Sequence, residues 1–242
     1  IIGGGWSGCA AALAARKAGA EVTLLEKTDL LLGLGNVGGI MRNNGRFTAA
    51  EENIALGARE LFDITDRCSR HVNIDFPGHK HASLYDVMKV EPAVRRLLRE
   101  KGIEVRLMAR AVDVVLQRSE QGDSRQVDGF GDSGSSAIQE AVIEKLILAG
   151  GPSGPSAPAQ AGSGTDPEQI IEGDVFVETT GSTGPMGNCL TYGNGCCMCV
   201  LRCPAFGPRV SISARAGGSD IMGRRRDGSF GAFSGSGKLE KG

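Results

Sequence analysis

The first hydrophobic run, Ile1-Ile2, is cut at once by Gly3-Gly4-Gly5-Trp6-Ser7-Gly8. Residues 9–19 (CAAALAARKAG) are strong helix formers that stop at a glycine, and residues 21–25 (EVTLL) form a β-branched and Leu run. A strand, a helix and a second strand are therefore expected in that order. Thr48 with Glu51 three residues later reads as a capping box opening a helix from residue 49 to about residue 61. Residues 63–83 show no period and read as irregular. Pro92 suits the first turn of a helix running to Lys101, with Leu97 and Leu98 inward, Arg95, Arg96 and Arg99 outward, and Gly102 closing it. Residues 103–115 (IEVRLMARAVDVV) alternate, as one or two strands returning to the sheet would.

From residue 117 the pattern changes to Gly, Ser, Pro and Asp, and residues 151–165 are of low complexity and expected to be poorly ordered. Inside this stretch Ser136 caps an expected amphipathic helix over residues 137–148 (AIQEAVIEKLIL). Regular structure resumes over residues 171–181 (IEGDVFVETTG), read as a strand ending at Thr180-Gly181. The expected organisation is a nucleotide-binding domain begun by residues 1–116, an insertion over 117–170 with one short helix, a return strand within 171–188, and a Cys-rich segment and tail over 189–242.

Composition narrows the classes. With 242 residues, 40% hydrophobic and a net charge of −1, the chain can bury a core and has no overall charge to draw it to polyanions. The one basic run, Arg224-Arg225-Arg226, is isolated and followed by Asp227, so no nucleic-acid partner is expected. No apolar run reaches the ~18 residues of a membrane helix, and no signal peptide is visible. A cytoplasmic protein without a membrane partner is expected. Only two residues precede the glycines, where a core strand averages about five or six. The chain therefore reads as a fragment, and the polar, Gly-rich residues 234–242 suggest the same at the other end.

The opening spells GxGxxG between a strand and a helix. Gly3 would allow the tight turn, Gly5 would let the backbone approach a pyrophosphate, and Gly8 would let the helix lie against the strand. The phosphates would sit on unpaired N–H groups at the positive end of the helix dipole. Glu26 follows Gly8 by 18 residues, near the spacing at which an acid accepts the hydroxyls of an adenosine ribose. Residues 28–48 form a glycine-rich loop that includes Gly38 and Gly39 and carries Arg42 and Asn43, a combination able to cradle an anion or meet an isoalloxazine edge. His79 and His81 sit in a polar loop. With Arg42 they are candidate catalytic groups, beside the plainer reading of solvated loop histidines.

Together, the GGGxxG turn, Glu26, the loop with Arg42 and Asn43, and DVFVETTG resemble FAD-dependent oxidoreductases of the superfamily holding glutathione reductase and fumarate reductase flavoproteins. The resemblance covers residues 1 to about 116 and 171 to 188. It implies an α/β fold: a Rossmann-like FAD/NAD(P)-binding domain with a parallel sheet, a helix layer and a small β-meander, here carrying a Gly/Ser/Pro-rich insertion. It implies FAD, held by Gly3, Gly5 and Gly8 at the pyrophosphate, Glu26 at the ribose and the Val112 backbone at adenine. Thr180 and Gly181 would pass close to the flavin's phosphate, and Gly38, Gly39, Arg42 and Asn43 would approach the ribityl chain and ring. The implied activity moves electrons between a reduced donor, such as NAD(P)H or a redox protein, and an acceptor or small-molecule substrate the sequence does not specify. A flavin-binding electron-transfer subunit without its own substrate pocket is the alternative, and a nicotinamide-only enzyme is the alternative for the cofactor.

Five of the seven cysteines fall between Cys189 and Cys203. Cys196, Cys199 and Cys203-Pro204 spell CxxCxxxCP, the final part of a bacterial ferredoxin run, with Cys189 as a possible fourth thiolate for a [4Fe-4S] cluster. This pairing resembles heterodisulfide-reductase-type flavoproteins. A redox dithiol at Cys196 and Cys199, a zinc site and unligated packing are the other readings. Cys9 and Cys68 read as small hydrophobes.

Overall fold

The computed structural model describes residues 1–36, 42–43, 50–72, 83–118, 141–149, 170–181, 206–207, 209–218, 223–224 and 230–231. Their elements, in chain order, are α1 (Trp6–Lys17), β1 (Thr23–Leu25), β2 (Arg42–Asn43) and α2 (Ala50–Asn53). A π turn (Ile54–Ala58), α3 (Arg59–Arg67), β3 (Ser69–Val72), β4 (Ser83–Tyr85), α4 (Val87–Glu100) and β5 (Glu104–Arg106) follow. After them come β6 (Ala111–Arg118), β7 (Ala141–Leu148), β8 (Ile170–Glu172), α5 (Ile212–Arg215), β9 (Gly223–Arg224) and β10 (Phe230–Gly231).

β1 lies parallel to β5, and on its other side Leu25 bridges in parallel to Ile2, which bridges in parallel to Glu178. The order across this sheet is β5, β1, the opening residues, then residues 177–179, all running the same way. Neighbouring residues of a strand face opposite sides. Leu24 joins Cys9, Ala12, Val90, Val94 and Leu98 in one core cluster. Leu25 and Ile2 join Ala111, Leu146, Leu148 and Ile212 in another. Helices α1 and α4 therefore cover one face of the sheet, and an antiparallel meander in the order β6, β7, β8 covers the other.

α1 approaches the sheet closely because its buried positions are Gly8, Cys9 and Ala12, all small. It ends where the sequence places the stop: the Gly19 N–H bonds to the Arg16 carbonyl and the Ala20 N–H to the Ala15 carbonyl, with Gly19 at φ +95. α4 ends in the same way at Gly102 and Ile103, and Ile103 packs in the same cluster as Leu98. Among the described residues no helix is long and apolar enough to cross a membrane.

Several expectations need correction. Where a helix is expected over 137–148, residues 137–140 lie outside the described residues and 141–148 are instead a strand, β7. Paired to β6, its Leu146 and Leu148 reach the core, and a bulge at Glu144, between the pairs Val115↔Lys145 and Leu116↔Ile143, breaks the alternation that would have marked it as a strand. The expected strand over 171–181 divides at Gly173: β8 belongs to the meander and residues 177–179 to the parallel sheet. Of the strands expected over 103–115, only β5 joins the parallel sheet, and β6 opens the meander.

Residues 63–83 are not all irregular, because α3 runs to Arg67 and β3 follows. The helix expected to end near residue 61 is broken at the π turn, where Gly57 takes φ +110. α4 starts at Val87 rather than at Pro92, since the Asp86 side chain accepts the Met88 N–H at 2.9 Å and caps it there. Pro92 then costs one helical bond, to the carbonyl of Met88, a residue 77% exposed to solvent.

Candidate functional site

The glycine turn is built by exclusion. Gly3 stands at φ +105, and a Cβ there would lie 2.6 Å from the Thr179 carbonyl oxygen. A Cβ on Gly4 would meet Leu31 Cδ2 at 2.6 Å, and one on Gly8 would lie 1.8 Å from the Gly3 oxygen. These three glycines are required by the protein's own packing. Gly5 is different: at φ −67 it is the N-cap of α1, it supplies no side-chain cap, and a Cβ on it would have no atom of the described residues within 4 Å. The first-turn N–H groups of α1 thus open beside a bare backbone position with the positive end of the helix dipole behind them.

Glu26 leaves β1 at this opening and is 6% exposed. One carboxylate oxygen accepts the Gly4 N–H at 2.8 Å and the other the Thr28 N–H at 2.8 Å. Each oxygen keeps a second lone pair able to accept from a ligand hydroxyl. The chain then folds back over the turn: the Leu32 N–H bonds to the Gly4 carbonyl at 2.7 Å, and Gly33 lies so near Gly5 that a Cβ would sit 3.3 Å from its Cα. Glu91, 2% exposed on α4, anchors this loop by accepting the Leu31 N–H at 3.2 Å, and its ion pair with Arg95 fixes the carboxylate.

At the end of the loop Tyr85 donates to the Gly35 carbonyl and meets Trp6 edge to face, ring centroids 5.8 Å apart. Burial pushes the Tyr85 phenol up, partly opposed by its bond with the Trp6 indole. Among the described residues, the Asn36 side-chain oxygen is buried without a hydrogen-bond partner.

The opposite wall is the segment 178–181. Thr179 gives its N–H to the Ile2 carbonyl at 2.8 Å and its hydroxyl to the Ile2 and Gly3 carbonyls at 2.9 and 2.8 Å. Gly181 takes φ +81, a conformation that favours glycine. Burial would raise the Glu178 carboxyl, but the bonds from Ser213 and Thr180 outweigh it and hold the group below its ordinary range.

The structure brings together Gly3, Gly5, Gly8, Glu26, Thr180 and Gly181. Val112 is the extra residue of a bulge in β6, between the pairs Ala111↔Leu148 and Asp113↔Ile147. The Arg42 and Asn43 backbones pair with β4 opposite Leu84 and Ser83, beside Tyr85. Gly38, Gly39, His79, His81, Cys189, Cys196, Cys199 and Cys203 lie outside the described residues. Among the described residues no group of three or more His, Cys, Asp or Glu could hold a metal ion. Cys9 is fully buried, and burial, followed by the charges of Glu26 and Glu91, pushes its thiol up to about 12.

Sequence reasoning missed Gly4, Asn36, Glu91 and Arg209. Only Glu91 left a signal: it shares the buried stripe of Val90, Val94 and Leu98, where a charge needs a buried partner. A glycine turn that opens a helix at the ends of parallel strands, with a buried acid closing the second strand, defines a Rossmann-like dinucleotide-binding α/β protein.

Residues 1–236 match the family described as Glucose inhibited division protein A, and the chain belongs to that family, whose FAD-binding domain is Rossmann-like. No curated protein sequence matches it. Among solved structures the chain is similar to THI4 of Thermovibrio ammonificans, with 20% identity and a TM-score of 0.37, over 62% of this chain and 46% of that one. It is also similar to L-amino acid deaminase from Proteus myxofaciens in complex with anthranilate, with 13% identity and a TM-score of 0.28, over 62% of this chain and 42% of that one. The chain spans less than half the length of either.

Proposed function

We propose that the chain is an FAD-dependent oxidoreductase that passes electrons from a reduced donor, NAD(P)H or a redox protein, to an acceptor that is a small molecule or a second protein. The observation that carries this reading is Gly5: among the described residues no atom claims the space where its Cβ would stand, while Gly3, Gly4 and Gly8 are all claimed by the fold. The residues present fit FAD. Gly5 and the first turn of α1 would hold the pyrophosphate, Glu26 would accept the ribose hydroxyls, and the Val112 backbone would meet adenine. Thr180, Gly181, Gly38, Gly39, Arg42 and Asn43 would line the flavin side.

When bound, the flavin supplies one- and two-electron transfer, and the protein's part is to hold and orient it and to set the charge around it. Glu26 does this through the Gly4 and Thr28 N–H groups, which fix its carboxylate toward the opening. We further propose that Cys189, Cys196, Cys199 and Cys203 are thiolate ligands of an iron–sulfur cluster exchanging single electrons with the flavin, and that the protein works in the cytoplasm without nucleic-acid or membrane partners.

The test is an anaerobic visible spectrum of the purified protein, with iron and acid-labile sulfide assayed on the same sample. One flavin per chain with matching iron and sulfide is the expected result. Flavin without iron overturns the cluster alone, and a colourless protein that takes up no FAD overturns the oxidoreductase reading.

A further inference from the structure

A partly buried clasp closes the wall opposite Glu26. One Glu178 oxygen accepts both the N–H and the hydroxyl of Ser213, each at 2.6 Å. The other accepts the Thr180 hydroxyl at 2.7 Å and faces an Arg209 Nη at 3.5 Å. Arg209 Nε donates to Thr180 Oγ1 at 3.0 Å. The Arg209 and Glu178 side chains are only 9% and 14% exposed. An ion pair enclosed to this degree is a poor source of stability, because desolvation offsets much of the attraction. What it does provide is a fixed position.

The Thr180 hydroxyl donates to Glu178 and accepts from Arg209, so its rotamer is set. Thr179, beside it, is tied three times to the carbonyls of Ile2 and Gly3. The same C-terminal segment touches the adenosine side as well: Lys27, next to Glu26, donates to the Gly207 carbonyl at 3.0 Å. Arg110 lies so close to Gly207 that a Cβ there would sit 2.6 Å from its Cζ. Residues 206–207 and 209–218 are thus docked along the strand ends, where ligands of parallel sheets bind.

We propose that Glu178 and Arg209 are positioning residues for the cofactor: acting through Thr180, they hold Thr180–Gly181 against the Gly3–Gly5 turn at the separation its phosphates require. This rests on the FAD reading above. Arg209→Lys keeps the charge facing Glu178 but removes the Nε donor to Thr180, and Thr180→Val removes that bond together with the Thr180 hydroxyl's bond to Glu178.

The experiment titrates the flavin-free full chain with FAD, read by quenching of Trp6, the chain's one tryptophan, and records Tm without FAD for each variant. Arg209→Lys is expected to bind FAD roughly tenfold more weakly, the value of one charge-assisted hydrogen bond, and Thr180→Val at least as weakly, each with Tm near wild type. The double variant is expected to be no worse than Thr180→Val alone, which already removes the bond that Arg209→Lys deletes. Wild-type affinity in Arg209→Lys overturns the proposal, as does a loss of Tm in step with the loss of affinity, which a merely structural role would give. A wild-type chain that binds no FAD overturns the functional reading together with this one. A wild type that binds beside unaffected variants overturns only the clasp.

Discussion

Glu91 and Glu178 stand on opposite walls of the glycine turn, and each takes a backbone N–H from a neighbouring segment while facing an arginine. They differ in how they are assembled. Arg95 is four residues from Glu91 on one helix, so that pair exists whenever α4 forms. Arg209 is 31 residues from Glu178, and the pair forms only when the 209–218 segment docks. The carboxylate that holds Leu31 is therefore fixed within one helix, although its bond to Leu31 spans 60 residues, whereas the carboxylate that holds Thr180 is fixed only when a separate segment docks.

Removing Glu91 should have the largest effect. Glu91→Ala leaves the Leu31 N–H and the Arg95 charge without their buried partner and should cost about 3 kcal/mol, while Glu91→Gln, which keeps an acceptor for Leu31, should cost less. Denaturant melts of both variants check this, and equal stability of Glu91→Ala and wild type would remove the contrast between the walls.

Glu178→Gln should cost less, about 1–2 kcal/mol near neutral pH. Because the folded carboxyl is held below the ordinary 4.5, its contribution is present above that pH and is lost as pH falls below it. Stability measured from pH 7 to 3 should therefore show wild type and Glu178→Gln converging at the acid end. A constant gap across the range would mean that the charge of Glu178 is not what holds the wall. The smallest effect belongs to the exposed pair of Arg106 and Glu104, for which Arg106→Ala should change stability by about 0.5 kcal/mol or less.

The parts legible in the sequence are those whose signals are local. The glycines, the Ala-rich α1, its stop at Gly19 and the position of Glu26 all follow from spacing within the first 26 residues. What was not legible depends on distant chain. β7 reads as a helix until β6 is placed beside it, since the bulge at Glu144 shifts the face that Leu146 and Leu148 present. Pro92 marks a helix start only while the Asp86 cap goes unnoticed. Arg209 lies in a segment with no motif of its own, and only the fold places it on Thr180.

The most direct test sets Gly5→Ala against Gly8→Ala. Alanine fits the backbone of Gly5, at φ −67 with open space around it, so that variant should stay within about 1 kcal/mol of wild-type stability yet bind FAD at least about tenfold more weakly. Gly8→Ala, whose Cβ would sit 1.8 Å from the Gly3 oxygen, should lose fold and binding together. If Gly5→Ala binds FAD as wild type does, the opening beside Gly5 is not where the cofactor lies.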